Sequence, residues 1–233
     1  MSKDCKAPES IPGIPNDVLN TLGEPIDQFA ENKIFEDYVR SVGVNEFTSI
    51  FPKRDHDGTQ VLRDITGLNT QLFIAFLAEN NPGSINIADL SIQASMKGAG
   101  IKNPDWMTHR AVKAEFEFYE VKPNSDSGKR KGDEKLLFFT ALCGLNNLPY
   151  KPGVTYFPRD REEPMWVENK GFIQTQVSLR WSRSKGGLIL YEVCIDHRLR
   201  NPEKVKVKNP VDAAAVLLMM LILLGVRAAP AVI

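Results

Sequence analysis

Asn103-Pro104-Asp105 is followed, fifteen residues after the aspartate, by Glu120 in the run Phe116-Glu117-Phe118-Tyr119-Glu120-Val121-Lys122-Pro123-Asn124. Two carboxylates and the amine of Lys122 are thereby spaced so that a pair of strands can bring them together. Ala114, Phe116, Phe118 and Glu120 alternate with Glu115, Glu117, Tyr119 and Val121, and the aromatic content is that of a strand. Residues i and i+2 of a strand share a face. Glu120 and Lys122 therefore point the same way, on the side of Phe116 and Phe118, which the alternation marks as the buried one. A carboxylate and an ammonium at the end of an apolar face are costly to desolvate unless they serve each other or an ion. A plainer reading stands beside this one. Glu120 and Lys122 form a solvated same-face ion pair worth ~0.2–1 kcal/mol, and Pro104-Asp105 is an ordinary turn.

In order and spacing these residues resemble the signature of the PD-(D/E)xK superfamily of metal-dependent nucleases. The continuation Glu120-Val121-Lys122-Pro123-Asn124-Ser125, a Gly-containing polar loop, a helix with Lys135 near its start and the turn Leu148-Pro149-Tyr150-Lys151-Pro152-Gly153 are similar to nuclease toxin domains of bacterial polymorphic and type VI secreted effectors. The resemblance covers residues 85–195. It implies a restriction-endonuclease-like α/β fold, a mixed central sheet flanked by helices. It also implies an interbacterial toxin that cleaves nucleic acid, DNA before RNA, with a cognate immunity protein as partner.

The chemistry asks for these residue types. Phosphodiester cleavage uses a divalent cation to polarise the phosphoryl oxygen and to produce hydroxide at neutral pH, and Mg²⁺ (or Mn²⁺) takes oxygen ligands from one or two carboxylates plus phosphate and water. Asp105 and Glu120 are the candidate carboxylate ligands, and the carbonyl of Val121 adds a third oxygen. Lys122 is placed to orient or deprotonate the attacking water and to stabilise charge on the phosphate. The resemblance assigns the same roles and implies a glutamate from an upstream helix; Glu79 is the first candidate and Glu36 the second. Lys129, Arg130 and Lys131, in the polar stretch 123–132, are candidates for gripping a phosphate backbone, and a solvated loop is an equally good account of them. Lys135 is expected in the first turn of a helix over 133–143, where a cation opposes the helix dipole, so it is read as a phosphate contact.

Twenty-nine basic and twenty-nine acidic residues cancel over 233 residues, which argues against a protein that coats nucleic acid by bulk electrostatics. The 42% hydrophobic content suffices for a sizeable core. Cys5, Cys143 and Cys194 show no Cys-x-x-Cys pairing, so neither a zinc site nor a disulfide framework is indicated, and the last two are read as core residues. His109 is read as a surface residue.

Three segments are expected: a flexible Pro-rich arm over 1–26, the nuclease-like domain over 27–200, and a basic-flanked hydrophobic segment over 201–233. The arm lacks the layout of a secretory signal, which implies a protein cytoplasmic when made and, on the resemblance, delivered to the cytoplasm of a target cell. Apolar spacing predicts helices over 26–42 and 68–79. Residues 85–92 read as a short strand and 154–157 as a short edge strand. The alternating runs 173–181 and 188–195 around Gly186-Gly187 predict a β-hairpin. Residues 213–226 are apolar all round but fall short of the roughly 20 needed to span a bilayer. That segment is read as a buried helix or an oligomer contact, with membrane contact as the alternative. Two other functions thus stand beside the nuclease: a non-catalytic binding module on the same fold, and a membrane-active protein working through 213–226.

Overall fold

The computed structural model describes residues 3–10, 16–43, 59–63, 70–84, 98, 103–170 and 173–199. They form a mixed α/β structure around one eight-stranded sheet. The strands are β1 (Lys3–Lys6), β2 (Gln60–Arg63), β3 (Trp106–Arg110), β4 (Glu115–Pro123), β5 (Lys151–Pro152), β6 (Arg161–Lys170), β7 (Ile173–Lys185) and β8 (Leu188–Leu199). The helices are α1 (Asn16–Val42), α2 (Thr70–Asn80) and α3 (Asp126–Leu145). The main path runs β2-β3-β4-β8-β7-β6, with β1 on β8 and β5 on β4.

The expectation of one buried face on β4 is corrected. Tyr119 and Val121 pack beneath Ile26, Ala30, Ile34, Phe35 and Tyr38 of α1. Phe118 packs on the other side against Phe73 of α2 and Leu136 and Phe139 of α3. A sheet covered on both sides buries both sets of alternating positions, so Glu117 and Glu120 are as enclosed as the aromatics between them.

β4 changes neighbours in mid-strand. Its first half pairs antiparallel with β3, from Arg110↔Glu115 to Trp106↔Tyr119. Its second half pairs parallel with β8, from Glu120↔Leu188 to Pro123↔Tyr191. Asp105, one residue before the last β3 pair, falls opposite Glu120 at the point where β3 and β4 part.

The helix after β4 starts earlier than expected. Ser125 is its N-cap, with Oγ accepting from the Gly128 N–H at 3.0 Å. The polar stretch read as a loop is thus its first turns, and Lys135 sits in the third turn, not the first. Glycine lowers helix propensity, but the backbone leaves no room for a side chain at Gly128, and a buried leucine methyl crowds Gly132. A Cβ on Gly128 would lie 2.3 Å from the Pro123 carbonyl oxygen, and one on Gly132 would lie 2.5 Å from Leu188 Cδ1. Their absent side chains let α3 lie directly on β4 and β8.

The β7–β8 hairpin forms as expected around Gly186-Gly187, and α2 matches its predicted span closely. No strand forms over 154–157; the carboxylate of Glu117 instead accepts the N–H groups of Val154 and Thr155. β6 was not anticipated. It carries Pro164 and a register shift there, which an edge strand tolerates. Within the expected arm, Lys3–Lys6 is a strand and Asn16 begins α1. Cys5 and Cys194 stand opposite each other in the β1–β8 register and form a disulfide, which corrects the reading of unpaired cysteines. Cys143 remains a buried free thiol. His109 is buried, with Nδ1 2.9 Å from the Tyr150 hydroxyl, not on the surface. Residues 44–58, 85–92 and 201–233, and so the apolar run 213–226, lie outside the described residues. Among the described residues no helix is long and apolar enough to cross a membrane.

Candidate active site

The fork between β3 and β4 gathers the charged residues. β4 brings Glu120, fully buried, and Lys122, whose ammonium lies 2.5 Å from Glu120 Oε1 and donates to the Val121 carbonyl at 2.8 Å. Asp105 enters from the start of β3, and its Oδ2 accepts the Val121 N–H at 2.6 Å. That bond extends the ladder by one rung after β3 has left, using a side chain where the next backbone carbonyl would stand. Lys135 reaches in from α3, 2.9 Å from Glu120 Oε1, 2.7 Å from Oε2 and 3.6 Å from Asp105 Oδ1. Gly128, Gly132 and Lys135 lie at i, i+4 and i+7, on one stripe of the helix. The close approach that the glycines allow is what carries the lysine to the carboxylates.

A third carboxylate lies within electrostatic reach of this cluster, and no motif in the sequence pointed to it. Glu31 of α1 is pushed up to about 8 by burial, then by the negative charges of Asp105, Glu120 and Asp27, with Lys122 acting in the opposite sense. Asp27, one turn earlier, is raised by burial and bonds the Tyr191 hydroxyl. The signal was present: Ile26, Ala30 and Ile34 form an i, i+4, i+8 apolar stripe, and Asp27 and Glu31 each follow a member of it by one position. Glu79 does not reach the site. Its Oε1 accepts from Gln60 Nε2 at 3.0 Å, and Gln60 pairs with His109, four residues along β3 from Asp105. Glu36 is exposed and held by Lys33 at 3.2 Å; five residues beyond Glu31, it points about 140° away round the helix.

Lys129, Arg130 and Lys131 are exposed on the first turns of α3, with Arg130 4.0 Å from Glu134. They stay outside the cluster, on the same helix as Lys135. Arg180 of β7 binds the Glu192 carboxylate at 2.5 Å, and the Arg183 guanidinium stacks on Phe157 at 3.8 Å.

The electrostatics are those of crowded acids short of positive charge. Burial and Asp105 push Glu120 up, while Lys122 and Lys135 pull it down. Burial alone would lower the two lysines, but Glu120 and Asp105 override it and hold both above the usual ammonium range. Two ammonium groups thus face Asp27, Glu31, Asp105 and Glu120, and burial with the excess of negative charge raises Asp27, Glu31 and Glu120 above the ordinary carboxylate range.

Asp105 and Glu120 are of the residue type that a hard divalent cation takes, and the Glu31 carboxylate and the Val121 carbonyl are the other oxygens of that type near the fork. Among the described residues no three His, Cys, Asp or Glu side chains stand in a ready ligating arrangement, and the ammonium of Lys135 contacts both Glu120 and Asp105. No family model, no curated protein and no solved structure matches this chain.

Proposed function

We propose that this protein is a metal-dependent nuclease, hydrolysing phosphodiester bonds, DNA before RNA, at the β3–β4 fork of a restriction-endonuclease-like sheet. The observation that supports it most is the meeting of Asp105, Glu120 and Lys122 at the fork, brought from two places in the sequence, with the helix-borne Glu31 near enough to feel their charges. Mg²⁺ or Mn²⁺ bound there supplies the Lewis acid that polarises the phosphoryl oxygen and acidifies a water. The protein's own residues do the rest. Asp105, fixed by the Val121 N–H, and Glu120, fixed by its strand, present their oxygens from opposite sides of the fork. Lys122 is held by the Val121 carbonyl and the Glu120 carboxylate, so its ammonium is oriented to position the attacking water and to offset charge on the phosphate. Lys129, Arg130 and Lys131 lie on the exposed side of α3, where a phosphate backbone can reach them.

The context we infer is an interbacterial toxin, delivered to the cytoplasm of a target cell, with an immunity protein as cognate partner.

The test is degradation of plasmid and RNA by folded wild type and Lys122→Ala, in Mg²⁺ and in EDTA. Cleavage that needs both the ion and Lys122 is the expected result. A second reading, a non-catalytic binding module, is favoured by the two lysines already paired with Glu120. Absence of Mn²⁺ binding and of cleavage by folded wild type would favour it over the nuclease.

A further inference from the structure

We propose that Lys135 is a tethered cation that competes with a divalent ion for Asp105 and Glu120, and so sets the ion concentration at which the site loads. The inference rests on the reading that this site holds such an ion. It concerns what must move for loading to occur.

The two lysines of the cluster are not equivalent. Lys122 binds Glu120 and the carbonyl of its own strand, so it flanks one carboxylate. Lys135 is the group that touches both: its Nζ is within 3 Å of both Glu120 oxygens and 3.6 Å from Asp105. These are the two carboxylates that an ion at the fork has to share. An ammonium and a divalent ion both need that oxygen set, and two positive groups cannot occupy it together in a buried setting where charge is weakly screened. Lys135 reaches the point from α3 on a flexible four-carbon stem, and its side chain retains 14% of its exposure. It can therefore swing outward, toward Lys131 and the exposed side of the helix, without moving the helix itself. Released there, its ammonium lies one turn from that of Lys131, on the same face of the helix.

The experiment is calorimetric titration with Mn²⁺ of wild type, Lys135→Met and Lys131→Met. Methionine keeps the apolar stem and removes the charge. Lys131→Met removes one equal charge from the same helix face without touching the carboxylates. Tenfold or greater tightening of Mn²⁺ binding in Lys135→Met, against less than twofold in Lys131→Met, is expected. Equal changes in the two variants, or weaker or unchanged binding in folded Lys135→Met, overturn the proposal. So does failure of both wild type and Lys135→Met to take up Mn²⁺.

If Lys135→Met does not fold, the wild type carries the test through amine labelling read by mass spectrometry. Labelling of Lys135 should rise severalfold on adding Mg²⁺ while Lys129 and Lys131 stay constant; unchanged or reduced labelling of Lys135 refutes the competition. The two readings fail separately. Ion-driven release of Lys135 without cleavage of plasmid or RNA keeps this inference and removes the nuclease. Mg²⁺-dependent cleavage with unaltered Mn²⁺ affinity in Lys135→Met does the reverse.

Discussion

The backbone N–H of Val121 donates to the carboxylate of Asp105 at 2.6 Å, so the residue expected to bind an ion also closes the last rung between β3 and β4. The two duties separate by substitution. Asp105→Asn keeps an oxygen for Val121 and relieves crowding among the acids, so its stability should equal or exceed that of the wild type. Asp105→Ala leaves a buried N–H without a partner and should cost about 1–3 kcal/mol in urea unfolding. Both should lose Mn²⁺ binding and cleavage. Equal destabilisation by the two would show that the carboxylate charge, not the acceptor, holds the fork.

Glu31 gives the protein a pH signature in EDTA. Its pKa rises from the ordinary 4.5 to about 8 on folding, so the folded state binds more protons than the unfolded state between those values. Stability from this group is fully present below pH 4.5 and is lost as pH rises toward 8. Glu31→Gln should flatten that decline and stabilise the protein at pH 8 by at least about 1 kcal/mol. Saturating Mg²⁺ should also flatten it in the wild type, since a cation favours the ionised form. A wild-type stability that climbs from pH 5 to 8 in EDTA, and does so less in Glu31→Gln, would contradict this placement.

Gly132 and Gly144 lie on one helix and should respond oppositely to alanine. A Cβ at 132 meets Leu188 Cδ1 at 2.5 Å and Lys122 Cγ at 3.3 Å, whereas nothing lies within 4 Å of one at 144. Gly144→Ala should stabilise by about 0.5–1 kcal/mol through helix propensity. Gly132→Ala should destabilise by about 1–3 kcal/mol through overpacking and should lower cleavage by displacing the stem of Lys122. Thermal melts and initial rates decide both.

The disulfide ties β1 to β8 across 189 residues. Thiol titration of the denatured, unreduced protein should count one free cysteine, Cys143, and after reduction three. Cys5→Ser should lower unfolding free energy by about 2–5 kcal/mol. Three free thiols before reduction would exclude the bond.

Local pattern made several elements legible. Two alternating runs around a Gly-Gly turn specify a hairpin because cross-strand pairing follows directly from a short connection. Apolar spacing placed α2 well and the body of α1. The order Asp105, Glu120, Lys122 announced the fork, since a turn of that length between two strands returns the chain to its starting point.

What went unread depended on contacts across the sheet. Cys5 and Cys194 become neighbours only because β1 fills the edge of β8 that β4 has left. The start of α3 was hidden by Gly128 and Gly132, whose low propensity reads as loop until the surface they lie against is known. Glu31 carried no motif; its position beside a buried stripe gains meaning only when α1 is laid over the fork.

By itself, then, the sequence determined the chemistry available on β4 and the strand pair that presents it, because period and turn length act within a few residues. The tertiary structure alone decided which helix brings a third carboxylate near the fork, that both faces of β4 are buried, and that Lys135 contacts both Glu120 and Asp105. These depend on how layers pack, and packing distances between segments far apart in the chain leave no period in the sequence.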